Sequence, residues 1–111
     1  MNYIDFKQGQ LHVEQVPASQ LAEQYGTPLY VYSKSQIIKN WQLFKQHWPK
    51  PHRLCYAVKA NSNLAILQLL AEQGAGFDIV SAGELKRVLK AGGDPASVVF
   101  SGVAKSEDEL R

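Results

Sequence analysis

Only one cysteine, Cys55, stands among the 111 residues, so no intrachain disulfide can form and a hydrophobic core must hold the chain together. It lies in the apolar run Arg53-Leu54-Cys55-Tyr56-Ala57-Val58, where a small hydrophobe would serve equally well; this predicts a cytoplasmic protein with a structural thiol. Long hydrophobic runs are missing too, and none approaches the ~18 residues of a membrane span. The opening Met1-Asn2-Tyr3-Ile4-Asp5 lacks a basic start followed by an apolar stretch, so no secretory leader is expected. Charge of one sign is scarce: 12 Lys and Arg against 10 Asp and Glu leave a formal net charge of +2, scattered along the chain. That balance argues against a nucleic-acid or membrane partner. His12, His47 and His52 show no ligand spacing with each other, with Cys55 or with paired carboxylates, and no metal site is expected. Gly-x-x-x-x-Gly-Lys is absent, and Gly74-Ala75-Gly76 precedes a strand instead of opening a helix, which weighs against a nucleotide phosphate loop.

With 45% hydrophobic and 20% charged residues, the composition is that of a globular domain. Residues 1–26 read as an arm, with a short alternating strand at Gln10-Leu11-His12-Val13-Glu14 and a helix from Gln20 to Tyr25 stopped by Gly26. Leu29-Tyr30-Val31-Tyr32 is β-branched and aromatic, which predicts a strand. Ser33 or Ser35 can cap the next helix, whose Ile37, Trp41, Phe44 and Trp48 form one stripe at the helical period; core packing against a sheet explains that spacing better than an aromatic binding platform. Pro49-Lys50-Pro51 ends it. Thereafter strands at 53–58, 76–80 and 98–100 alternate with helices at 64–73 and 82–91, and a further helix starts at Ser106. Asn61-Ser62-Asn63 and Ser81 supply caps, with Glu84 in capping-box position, and Gly74 and Gly92-Gly93 supply stops.

Strand and helix in alternation, with short connections, predict an α/β parallel sheet, either doubly wound or a (β/α) barrel. A complete barrel takes roughly 250 residues, so residues 27–111 are expected to be the first βα units of an incomplete barrel, unstable or aggregating in isolation because apolar faces stay uncovered.

Lys59 ends the most apolar of these strands and is followed by a polar Ala60-Asn61-Ser62-Asn63 turn. Ligands in parallel α/β sheets sit at the carboxyl edge of the strands. An amine there can bind an anion, attack a carbonyl or rest in solvent; apolar neighbours Tyr56, Ala57, Val58 and Ala60 favour a neutral, nucleophilic amine, and small Ala57 leaves room for a flat ring. Asp78 is a charge inside an apolar strand, readable either as an outward residue with a hydrogen-bond partner or as a pocket carboxylate. Glu84 is explained by its cap and is a weaker site candidate.

The stretch Tyr56-Ala57-Val58-Lys59-Ala60-Asn61 resembles the cofactor-attachment motif of the pyridoxal-phosphate-dependent decarboxylases of ornithine, arginine and diaminopimelate, which use an alanine-racemase-like (β/α)8 TIM-type barrel. Gly26-Thr27-Pro28-Leu29-Tyr30-Val31-Tyr32, Gly74 to Leu85, Ala91-Gly92-Gly93 and Val99 to Ser106 extend the likeness, which favours the diaminopimelate branch. The resemblance implies that Lys59 carries pyridoxal 5'-phosphate as a Schiff base, that Ala57, Asp78 and Glu84 line the cofactor site, and that the full-length protein is a homodimer. The implied reaction takes meso-2,6-diaminopimelate, a small amino-acid substrate, to L-lysine and carbon dioxide. It also implies that the phosphate loop, the partner of the pyridinium nitrogen and a carboxy-terminal domain with its catalytic cysteine lie beyond Arg111, so Cys55 is not that cysteine and the segment alone is expected to be inactive. Other activities on the same barrel stay open: ornithine, arginine or carboxynorspermidine decarboxylation, racemisation, or non-catalytic cofactor binding. So does a structural α/β piece with Lys59 as an anion contact.

Overall fold

The computed structural model describes residues 2–102 and 105–110. They fall into two compact units, Met1–Phe44 and Lys45–Arg111.

The first unit opens with an antiparallel three-stranded sheet, β1 (Ile4–Lys7), β2 (Gln10–Val13) and β3 (Val16–Pro17), in that order. Lys7 pairs with Gln10 across a two-residue turn in which Gln8 and Gly9 both have positive φ, 52° and 77°. This is the backbone of a tight hairpin whose twist suits the strands it joins. Of these strands only β2 is legible in the sequence, because Gln-Gly is a weaker turn signal than Asn-Gly or Asp-Gly. Helix α1 (Ala18–Tyr25) ends at Gly26, whose φ is 80° and whose N–H donates to the Ala22 carbonyl at 2.8 Å.

Helix α2 (Lys34–His47) starts at Ser33, a buried residue whose Oγ accepts the Gln36 N–H at 3.1 Å. Glu14, on the turn after β2, supplies a second cap: its Oε1 accepts from the Ser33 hydroxyl and from the Ser35 N–H, each at 2.9 Å. A carboxylate at a helix N-terminus satisfies a free donor and meets the favourable end of the helix dipole. Glu14 itself has a φ of 55°, an uncommon value for a residue with a side chain. The carboxyl group is held below its ordinary value of 4.5, first by the Ser35 N–H and hydroxyl and then by the Ser33 hydroxyl, with the Lys34 charge adding to them.

Two expectations need correction here. Leu29–Tyr32 forms no β-ladder, and Tyr30 is 88% exposed; β propensity describes residues that suit a pleated surface and does not supply the neighbouring strand. The stripe of α2 divides: Ile37 and Trp41 are half-buried, whereas Phe44 and, just past the helix, Trp48 are exposed. Periodicity shows that a helix has an apolar side, not that a core covers it.

In the second unit β4 (Cys55–Ala57), β5 (Gly76–Ile79) and β6 (Val98–Phe100) form a parallel sheet in sequence order. Helices α3 (Leu64–Glu72) and α4 (Ala82–Lys90) make the crossovers, and α5 (Glu107–Leu110) follows β6. Successive strands are neighbours and α3 packs against α4, so both helices lie on one face of the sheet, as in a sector of a (β/α)8 barrel, the fold class expected. Val58, Leu67, Leu70, Phe77, Ile79 and Val88 are the buried core between helices and sheet.

Side chains alternate across a strand, and two glycines show which face is which. A Cβ on Gly93 would lie 3.1 Å from Phe77 and 2.5 Å from Val88, so Phe77 points at the end of α4. One on Gly76 would lie 2.7 Å from the Cys55 sulfur, so Cys55 and Gly76 share the other face. Both helices close with the same pair of bonds. Gly74 and Ala75 donate to the carbonyls of Ala71 and Leu70, each at 3.0 Å, and Gly92 and Gly93 to those of Leu89 and Val88 at 3.1 and 2.9 Å. The positive φ of Gly74 and Gly92, 83° and 91°, is what this double closure requires.

Candidate functional site

The carboxyl ends of β4, β5 and β6 converge on one edge, and three of the four candidate residues lie along it. Ala57 is the last residue of β4 and stands opposite Asp78 in the ladder. Both are half-buried, and by alternation both belong to the face away from the helices. Val99, opposite Asp78 on β6, is 50% exposed, so this face is open among the described residues.

Lys59 comes two residues after Ala57, and the backbone there corrects the expected strand of 53–58. The ladder stops at Ala57, and Val58–Ala60 form a single 3-10 turn in contact with β5. With three residues per turn, successive side chains diverge widely. Val58 is fully buried in the core, whereas Lys59 and Ala60 are exposed. Of the apolar neighbours, Val58 is therefore turned into the core, away from the Lys59 amine. What the turn provides is an accessible amine on a fixed base.

That base is tied at several points. The Tyr56 hydroxyl donates to the Asn61 carbonyl at 2.9 Å, closing a loop around Lys59. Asn61 Oδ1 accepts the Asn63 N–H at 3.0 Å, and Asn63 Oδ1 accepts the Ala65 N–H at 2.9 Å, so of the possible caps Asn63 starts α3. Arg87 on α4 donates to the Ser62 carbonyl at 3.3 Å. The roles of Tyr56 and Arg87 are not legible in the sequence, because partners five and twenty-five residues away leave no local pattern.

Asp78 is paired: the Ser101 hydroxyl donates to its Oδ1. Both readings of this carboxylate survive, since it has a hydrogen-bond partner and also lies at the open edge beside Ala57. Glu84 is arranged differently. The Ser81 Oγ accepts the Glu84 N–H at 3.1 Å, as a capping box demands, but the Glu84 carboxylate accepts the Val80 N–H at 2.8 Å, one residue before the expected partner. It thus locks the turn from β5 into α4, immediately after the Asp78 strand.

The edge brings together the exposed amine of Lys59, the small side chain of Ala57 and the Asp78 carboxylate, which is oriented by Ser101. Cys55 is a free, half-buried thiol against Gly76 on the same face. Among the described residues no group of three or more His, Cys, Asp or Glu side chains is placed to hold a metal ion, and no helix is long and apolar enough to cross a membrane. Val103 and Ala104 of the Ser101–Ser106 stretch lie outside the described residues.

Residues 34–111 match the family model described as pyridoxal-dependent decarboxylase, pyridoxal binding domain. A diaminopimelate decarboxylase of Vibrio cholerae is 58% identical over 113 aligned residues, covering 100% of this chain and 27% of that protein. A crystal structure from Aquifex aeolicus superposes with a TM-score of 0.92 at 45% identity, covering 97% of this chain and 27% of the other. Diaminopimelate decarboxylase of M. jannaschii in co-complex with L-lysine gives a TM-score of 0.87 at 36% identity, covering 98% and 27%. The chain therefore spans about a quarter of the length of the relatives it matches.

Proposed function

The chain belongs to the pyridoxal-dependent decarboxylases, and from that membership we propose that it is the amino-terminal, cofactor-anchoring portion of a diaminopimelate decarboxylase, with Lys59 as the attachment point. Residues 1–26 act as an arm and 27–111 as the first units of the cofactor barrel. The observation that carries the reading is the exposed Lys59 on a turn pinned by buried Val58 and by the Tyr56–Asn61 bond, at the edge where Ala57 and Asp78 stand side by side.

Pyridoxal phosphate, when bound, supplies an aldehyde for amine exchange and a ring that accepts the electron pair left as a carboxylate departs as carbon dioxide. This chain's residues have simpler tasks. Lys59 would hold the cofactor's carbonyl carbon through its amine, at a fixed position, and would be released as a free amine when the nitrogen of an incoming substrate takes its place. Ala57 keeps the space beside it clear. Asp78 holds negative charge at the edge, where a cationic ring or ammonium is stabilised. Glu84 acts from behind by fixing the Val80–Ser81 turn, a smaller share than direct cofactor contact.

The substrate reading, meso-diaminopimelate to L-lysine, is supported by the identity to the Vibrio cholerae enzyme and by the likeness to a relative crystallised with L-lysine. The family resemblance extends the proposal to a cytoplasmic homodimer in the full-length protein, a state that sedimentation analysis tests. Borohydride reduction with pyridoxal phosphate, followed by peptide mass analysis, should label Lys59 in the full-length protein, and Lys59→Ala should abolish the label and lysine formation together. Labelling elsewhere refutes the anchoring role. Faster turnover of ornithine or arginine than of diaminopimelate refutes the substrate.

A further inference from the structure

We infer that Ser101 is a positioning residue for the Asp78 carboxylate, and that cofactor retention depends on it through Asp78. The inference rests on the reading of this edge as a pyridoxal phosphate site.

The Ser101 hydroxyl donates to Oδ1 of Asp78, and no second hydrogen bond to that carboxylate exists among the described residues. A carboxylate has two oxygens and about four acceptor sites. With Oδ1 engaged from β6, rotation about the side chain is arrested and Oδ2 is left for a ligand. An unrestrained carboxylate would have to be ordered on binding, at a cost in affinity.

Ser101 is exposed, yet its backbone is fixed on both sides. Its N–H donates to the Ile79 carbonyl at 3.0 Å, continuing the β5–β6 ladder one residue beyond Phe100. Gly102 follows so closely over the β5–α4 turn that a Cβ there would lie 2.8 Å from the Val80 carbonyl oxygen. The same turn is held from below by the Glu84 carboxylate on the Val80 N–H. An ordinary surface serine has no such anchorage. Here the hydroxyl is carried to Asp78 by a backbone with no freedom to drift, which is how a site built on rigid elements keeps its geometry.

The test is a double-substitution cycle in the full-length protein, read as the dissociation constant for pyridoxal phosphate by equilibrium dialysis and as borohydride labelling of Lys59. Ser101→Ala should weaken binding about three- to tenfold, the scale of one ordinary hydrogen bond, since the substitution acts on the cofactor only through Asp78. Ser101→Thr, which keeps the hydroxyl, should stay within about twofold of the unchanged protein. In an Asp78→Ala background, Ser101→Ala should cause almost no further loss, because its target is gone. The melting temperature of the cofactor-free protein should not move with Ser101→Ala. Equal losses in both backgrounds, no loss in either, or a Thr variant as weak as the Ala variant would overturn the inference while leaving Lys59 labelled. An unlabelled Lys59 in the unchanged protein would instead overturn the proposed function.

Discussion

Gly93→Ala should destabilise the sheet-helix core more than Gly92→Ala, although Gly92 is the residue with the left-handed backbone. At Gly92, with φ of 91°, an added Cβ meets nothing within 4 Å, so the cost is conformational, about 1–2 kcal/mol. At Gly93 the new Cβ would lie 2.5 Å from Val88 Cγ1 and 3.1 Å from both Phe77 Cε2 and the Val88 carbonyl oxygen. Carbon atoms are comfortable at about 3.5–4.0 Å, so Val88 must retreat by roughly an ångström. It has little room: Val88 and Phe77 are both fully buried, and a β-branched side chain is stiff about its first torsion. Overpacking of that kind costs about 1–3 kcal/mol, and the stiffness of Val88 puts Gly93→Ala at the upper end. The conflict is local to one methyl group, so Val88→Ala combined with Gly93→Ala should cost at least about 1 kcal/mol less than the two separate losses added together. Native-state hydrogen exchange of the Phe77 to Ile79 and Val88 amides in the full-length protein measures this directly. Strict additivity, or a Gly93→Ala variant as well protected as the original, would refute the packing argument.

Two further predictions concern carboxylates. Because Glu14 titrates below its ordinary value of 4.5 in the folded state, it contributes stability that is fully present above the unfolded value and is lost as pH falls through the folded one. Glu14→Gln should therefore flatten the acid side of the stability profile of the first unit, and an unchanged profile would show that its bonds to Ser33 and Ser35 contribute nothing. Glu84→Gln keeps an oxygen for the Val80 N–H, so if the residue serves the turn alone, cofactor affinity should stay within about twofold, while Glu84→Ala should lose about 1 kcal/mol of helix capping; a large affinity loss in the Gln variant would restore it to direct contact.

Local chemistry was readable from the sequence wherever it is short-ranged. Ser81 as a cap, Gly74 and Gly92 as stops, and the alternation of strand and helix after Pro51 all follow from residue types a few positions apart. The order of Ala57, Lys59 and Asp78 along one edge followed from the expected parallel sheet. Long-range choices were not readable. Glu14 caps a helix that begins twenty residues later, and Ser101 reaches a carboxylate twenty-three residues earlier. Nothing in either neighbourhood marks the partner. The strand expected at Leu29–Tyr32 and the exposed end of the α2 stripe differ for the opposite reason: their local signals were sound, but a signal for burial cannot name the surface that buries it.

The single 3-10 turn at Val58–Ala60 also restricts how this segment can vary in length. Each residue in such a turn rotates the side chain by about a third of a revolution. A one-residue deletion before Lys59 would carry the lysine into the place of buried Val58, and a one-residue insertion would push valine out to the edge where the amine now stands. Point changes at the edge can be graded in their effect, but a shift of frame exchanges core for chemistry in one event. The spacing from Tyr56 to Asn61, closed by its own hydrogen bond, should thus tolerate substitutions of sequence far better than any change in the number of residues.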